Sequence, residues 1–72
     1  MERITMDAMK IGERLRKLRG DRTLEEVSSQ TGIGRSALNM YELGNRIPRD
    51  EAKMTLARYY GVSIEQLFFE TA

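Results

Sequence analysis

Arg35, Ser36, Asn39 and Met40 stand close together in the chain, and their types suit recognition rather than covalent chemistry. A guanidinium donates two parallel hydrogen bonds to a planar acceptor, serine and asparagine both donate and accept, and a thioether offers a soft apolar surface. Turned at about 100° per residue, these four fall with Leu43 on one side of a helix, and Ala37, Leu38 and Tyr41 fall on the other. Two further arginines, Arg46 and Arg49, follow just beyond. The sequence holds no cysteine and no histidine. Disulfides, thiol nucleophiles, the usual zinc sites and the commonest general base are therefore excluded. No paired carboxylates suggest a cleft for acid–base work, so an enzyme has little support, and nothing calls for a cofactor, a metal or a small-molecule ligand.

Five helix-sized pieces must position these residues, and glycines with one proline separate them. Ile11, Leu15 and Leu18 follow the i, i+4, i+7 stripe of a first helix, which Gly20-Asp21 ends. Thr23-Leu24-Glu25-Glu26 reads as a capping box opening a second helix from Leu24 to about Thr31, with Val27 inward. After Gly32-Ile33-Gly34 a third helix runs from Arg35 to about Leu43 and stops at Gly44-Asn45. Asp50 is the expected N-cap of a fourth helix striped by Ala52, Leu56, Tyr59 and Tyr60 and closed by Gly61. Ser63-Ile64-Glu65-Gln66 is a second capping box, and Ile64, Leu67 and Phe68 point one way on a short fifth helix. No segment alternates with period two for long enough to be a strand. The predicted class is all-α, as one domain over residues 1–72.

A chain of 72 residues hides only about 60% of its unfolded surface, so modest stability is expected and association between copies would add to it. The net charge is +1, yet it is unevenly spread. Lys10, Arg14, Arg16, Lys17, Arg19 and Arg22 face only Glu13 and Asp21, whereas residues 50–72 carry Asp50, Glu51, Glu65 and Glu70 against Lys53 and Arg58. One end is basic and the other acidic, which suits a module that turns one face to phosphates. No apolar run approaches the ~18 residues of a membrane span. Met1 to Asp7 lacks the apolar stretch of a signal peptide, so a cytoplasmic protein without a membrane partner is expected.

Residues 24–43 form a unit of two short helices joined by a glycine-containing turn. Helices joined so tightly cross steeply, and the second projects from the body. The major groove of B-DNA, about 12 Å wide, admits one α-helix. The run Gly32-Ile33-Gly34-Arg35-Ser36-Ala37-Leu38-Asn39-Met40-Tyr41-Glu42-Leu43-Gly44-Asn45-Arg46-Ile47-Pro48 resembles the core of phage-repressor helix-turn-helix domains of the Cro/cI, or XRE, type. These typically read G-[VI]-[ST]-x-x-x-[IL]-[SN]-x-[YWI]-E-x-G-x-R-x-P. The resemblance extends over residues 9–69, through Leu15-Arg16-Lys17-Leu18-Arg19 before the run and Tyr60-Gly61-Val62-Ser63-Ile64-Glu65-Gln66-Leu67-Phe68-Phe69 after it.

That resemblance implies a five-helix, lambda-repressor-like fold and a transcriptional regulator of repressor type, from a phage or mobile element, with double-stranded operator DNA as partner. Arg35, Ser36 and Met40 match the family's base-contacting positions, with Asn39 beside them. Thr23 and Leu24 match the place where the second helix meets the backbone, and Arg46 and Arg49 fall in a loop that touches phosphate. Arg19 and Glu42 match a structural ion pair. The expectation at the bases is a bidentate Arg35–guanine contact and Met40 against a thymine methyl. Two departures stand out. Leu24 replaces a common glutamine, which removes one phosphate hydrogen bond, and Gly34 replaces the usual Ser/Thr cap, a loss of a few tenths of a kcal/mol.

Leu67, Phe68 and Phe69 place adjacent aromatics near the chain end. Phe68 can complete the core, but both rings are not expected to fit beneath so small a domain, so Leu67, Phe68 and Phe69 form the expected homodimer interface. A second reading keeps the fold but turns the Met40 and Leu43 face, or the C-terminal aromatics, against another protein. Gly32-Ile33-Gly34-Arg35-Ser36-Ala37 also matches the dinucleotide fingerprint G-x-G-x-x-[GA]. That fingerprint needs a strand feeding a helix, and here a capped helix precedes it.

Overall fold

Each helix starts and stops where the local chemistry allows. A computed structural model describes residues 4–5 and 7–71, so part of the leader reading on Met1 to Asp7 lies outside the described residues. Helix α1 (Ala8–Arg19) begins at Asp7, whose carboxylate accepts from the Met9 and Lys10 amides at 2.9 and 3.2 Å. Helices α2 (Leu24–Thr31), α3 (Arg35–Leu43), α4 (Asp50–Tyr60) and α5 (Ile64–Phe68) follow. The all-α body has one small addition: strand β1 (Ile4–Thr5) pairs antiparallel with β2 (Glu70–Thr71), Ile4 opposite Thr71. Two-residue strands are too short to carry a readable alternation, so no residue pattern announces them.

Ile11, Leu15, Val27, Leu38, Tyr41, Leu56, Ala57, Leu67 and Phe68 are buried together, so all five helices feed one core. The expected exposed aromatic patch is therefore corrected. Leu67 and Phe68 are 1% and 0% exposed, filling the space among α1, α4 and α5 rather than facing a second subunit. Phe69 is half-buried against the same core, with the Lys53 ammonium 6.0 Å from its ring centre. The short α5 fits because it meets both α1 and α4, and the Arg14 guanidinium donates to the Leu67 carbonyl at 3.1 Å.

Helix α1 crosses α3 more intimately than any other pair, and Gly12 sets the distance. A Cβ there would lie 2.5 Å from the Glu42 carbonyl oxygen and 2.7 Å from that of Tyr41. Only a residue without a side chain lets the two backbones approach so closely. The start of α4 also differs from expectation. Asp50 is the first helical residue, not the cap; Arg49 holds the cap position without a side-chain bond, and the Asp50 carboxylate lies 3.5 Å from the Lys53 ammonium instead.

Candidate nucleic-acid interface

Three residues link α2 to α3. Gly32 turns the chain at φ 80°, a left-handed conformation that closes α2 without strain. The Thr31 hydroxyl donates to the Val27 carbonyl at 2.7 Å and accepts from the Ile33 amide at 3.2 Å, so the turn is held from within. Leu38 and Tyr41 anchor the inner side of α3 in the core. On its outer side Arg35, Ser36, Asn39 and Leu43 are exposed and Met40 is half-buried. The helix thus presents one polar and apolar face to solvent. Gly34 offers no side-chain cap, which leaves the first amides of α3 open at the positive end of the helix dipole.

The far end of α3 is fixed by charge. Arg19 Nε donates to Glu42 Oε2 at 2.7 Å and Nη2 to Oε1 at 2.9 Å, while Nη1 donates to the Arg22 carbonyl at 2.7 Å. The Glu42 side chain is 8% exposed in this pair. The hydrogen bond to Glu42 also raises the Arg19 pKa above its ordinary value, against the smaller opposing cost of burial. Glu42 is the one acid of α3, and it is committed to Arg19. Arg46 and Arg49 stay exposed in the α3–α4 loop without a hydrogen-bond or ion-pair partner among the described residues.

Thr23 is exposed at the start of α2, where its hydroxyl accepts from the Glu26 amide at 3.0 Å. The reciprocal Glu26 contact of the expected capping box is absent; the carboxylate adds instead to the field at Arg22. Leu24 is half-buried against the core and offers no polar atom beyond its backbone. Sequence reasoning missed one cluster outright. The Arg22 guanidinium lies 5.4 and 5.5 Å from the ring centres of Tyr59 and Tyr60, and the Tyr59 hydroxyl donates to Gln30 Oε1 at 2.6 Å. These contacts lock α2 to α4. No local signal foretells them, because an arginine in a turn and a tyrosine pair meet only across the fold.

A helix-turn-helix domain family matches residues 12–71. The chain belongs to this family. It is 39% identical, over 56 residues, to the cryptic phage CTXphi transcriptional repressor RstR of Vibrio cholerae. That alignment covers 75% of this chain and 50% of the relative, so the chain spans about half the length of the curated protein it matches. The restriction-modification controller protein C.AhdI from Aeromonas hydrophila has the same fold, with a TM-score of 0.77 at 30% identity, over 86% of this chain and 97% of that one. The DNA-binding domain of BldD superposes with a TM-score of 0.72 at 26% identity, over 86% of this chain and 93% of that one. Among the described residues no His/Cys/Asp/Glu cluster could hold a metal ion, and no helix is long and apolar enough to cross a membrane.

Proposed function

We propose that this protein is a sequence-specific double-stranded-DNA-binding transcriptional regulator, of phage or mobile-element repressor type, which inserts α3 into the major groove. One observation carries the reading: α3 is anchored by Leu38, Tyr41 and the Arg19–Glu42 pair, yet leaves Arg35, Ser36 and Asn39 exposed on one face. A rigid helix with free donors on its outer side matches the size and edge chemistry of the groove. Arg35, Ser36, Asn39 and Met40 meet bases, while Thr23, the backbone at Leu24, Arg46 and Arg49 meet phosphates. The RstR and C.AhdI matches support the repressor and controller class.

The same reading makes the protein a cytoplasmic homodimer. One copy of α3 presents few base-reading side chains, and each good bidentate contact discriminates by only about 1–3 kcal/mol. Two copies on half-sites one helical turn apart double that. With Leu67 and Phe68 buried inside the chain, a surface left for pairing near α5 is the shallow groove of about 230 Å³ lined by Arg14, Lys17, Leu18, Val62, Gln66 and Leu67.

Selection from random duplex DNA tests both statements, and the expected product is a palindrome whose bound complex sediments as two chains. Replacing Arg35 with alanine should cost ~1–3 kcal/mol and relax one position of that sequence. An equal loss on every duplex would reduce Arg35 to a phosphate contact. Binding that ignores added salt would argue for a protein partner on the Met40 and Leu43 face instead.

A further inference from the structure

Tyr41 is an unusual core residue. It is 7% exposed and belongs to the same apolar cluster as Leu38 and Leu56, a position that phenylalanine would fill equally well. Its hydroxyl has no hydrogen-bond partner among the described residues. Yet no fully buried side-chain oxygen or nitrogen among those residues lacks a partner. The hydroxyl therefore keeps some contact with solvent. Tyr41 lines a groove of about 480 Å³ beside the α3–α4 loop, together with Arg46, Ile47, Arg49, Glu51 and Ala52.

Two of the other lining side chains favour an anion. Arg46 and Arg49 line it without partners of their own among the described residues. Between them Pro48 is fully buried, which fixes the loop backbone from which both arginines extend. Helix α4 opens here, and Arg49 makes no side-chain cap, so the amides of its first turn lack a side-chain acceptor. A helix start with open amides and the positive end of its dipole favours phosphate. Glu51 is the opposing charge; it is exposed and free to swing into solvent.

We infer that this groove is a built phosphate site, in which the Tyr41 hydroxyl, Arg46 and Arg49 together hold one phosphate of the DNA backbone. The inference deepens the proposed function and rests on it. The phenol supplies what the arginines lack. It is a short, neutral donor mounted on a ring locked in the core, so it reaches the phosphate oxygen with no side-chain entropy left to lose. Because Tyr41 lies on α3 itself, the same phosphate also fixes how α3 sits along the groove, and the base-reading face inherits that register.

The test is Tyr41→Phe, which retains the ring in the core and removes only the hydroxyl. Its melting temperature should match that of the unaltered protein, because the lost atom has no partner in the protein. Its Kd should rise about 10-fold on the selected site and on unrelated duplex alike, the usual worth of a hydrogen bond to a charged group. The slope of log K against log salt should stay the same for Tyr41→Phe, and should fall by about 1 for Arg49→Gln, since only the second removes a cation. A duplex scanned with single methylphosphonates should reveal one position that weakens the unaltered protein and leaves Tyr41→Phe indifferent.

If Tyr41→Phe binds duplex as tightly as the unaltered protein, the phosphate site is overturned while DNA binding stands. If inorganic phosphate stabilises the unaltered chain but the hydroxyl makes no difference on duplex, the groove holds free anion and the backbone assignment fails. If the unaltered protein binds no duplex at low salt, the proposed function itself is lost and this inference goes with it.

Discussion

Helices α3 and α5 are both short, and the fold uses them in opposite ways. Helix α5 has five residues; Ser63 caps it fully, accepting from the Gln66 amide at 3.0 Å while the Ser63 amide donates back to Gln66 Oε1 at 3.0 Å. It turns Leu67 and Phe68 wholly inward. Helix α3 has nine residues, begins at uncapped Gly34, and keeps Arg35, Ser36, Asn39 and Leu43 in solvent. A helix that satisfies its own start and buries its large side chains contributes to stability and offers little to a partner. One with open amides and a free polar face gives up stability and retains the capacity to bind.

Substitutions in the two helices should therefore separate folding from binding. Phe68→Ala should give the largest effect, a loss of about 3–5 kcal/mol read by urea denaturation. The fraction that remains folded should bind DNA with unchanged affinity; weakened binding per folded molecule would mean that α5 also serves the interface. Gly12→Ala comes next, at about 1–3 kcal/mol, because the added methyl group must push α1 away from the Tyr41 and Glu42 carbonyls. Since that movement tilts α3, affinity should fall along with stability, unlike in Phe68→Ala.

Caps give smaller differences. Ser63→Ala should cost ~1 kcal/mol of stability and leave binding alone. Gly34→Ser should do the reverse in kind: a gain of a few tenths of a kcal/mol in melting experiments, with weaker DNA binding if an open amide of α3 meets phosphate. Unchanged binding would show that the missing cap at Gly34 has no function. The smallest effect under ordinary conditions concerns Tyr60, whose pKa is pushed up to about 12, first by burial and then by the charge of Glu42. An unfolded tyrosine ionises near 10, so this contribution is complete below pH 10 and is lost as pH rises from there toward 12. Tyr60→Phe should flatten that alkaline decline, as followed by thermal melts across the range.

Most of the helical framework was legible because helix ends are local events. Gly20, Gly32, Gly44 and Gly61 close four helices with positive φ, and Thr23 and Ser63 open two with caps visible in the sequence. Asp50 shows how such a reading fails. Its type suits a cap, but the chain enters α4 one residue earlier, and its carboxylate turns to Lys53. The aromatic tail failed for another reason. Phe68 completes the core as its spacing allows, but whether it and Leu67 keep any surface for a partner depends on the volume left by α1 and α4, which no run of neighbouring residues encodes.

Residue order is enough to set where the helices lie, which side of each is apolar, and that Arg35, Ser36 and Asn39 share a face, because these follow from a fixed rotation per residue and from groups a few bonds apart. Only the packing of the helices against one another brought Gly12 to the end of α3, Arg22 onto Tyr59 and Tyr60, and Arg19 to Glu42. Those contacts join residues distant in the chain. They exist only once hydrophobic burial has chosen one packing of the five helices, and the helical period says nothing about that choice.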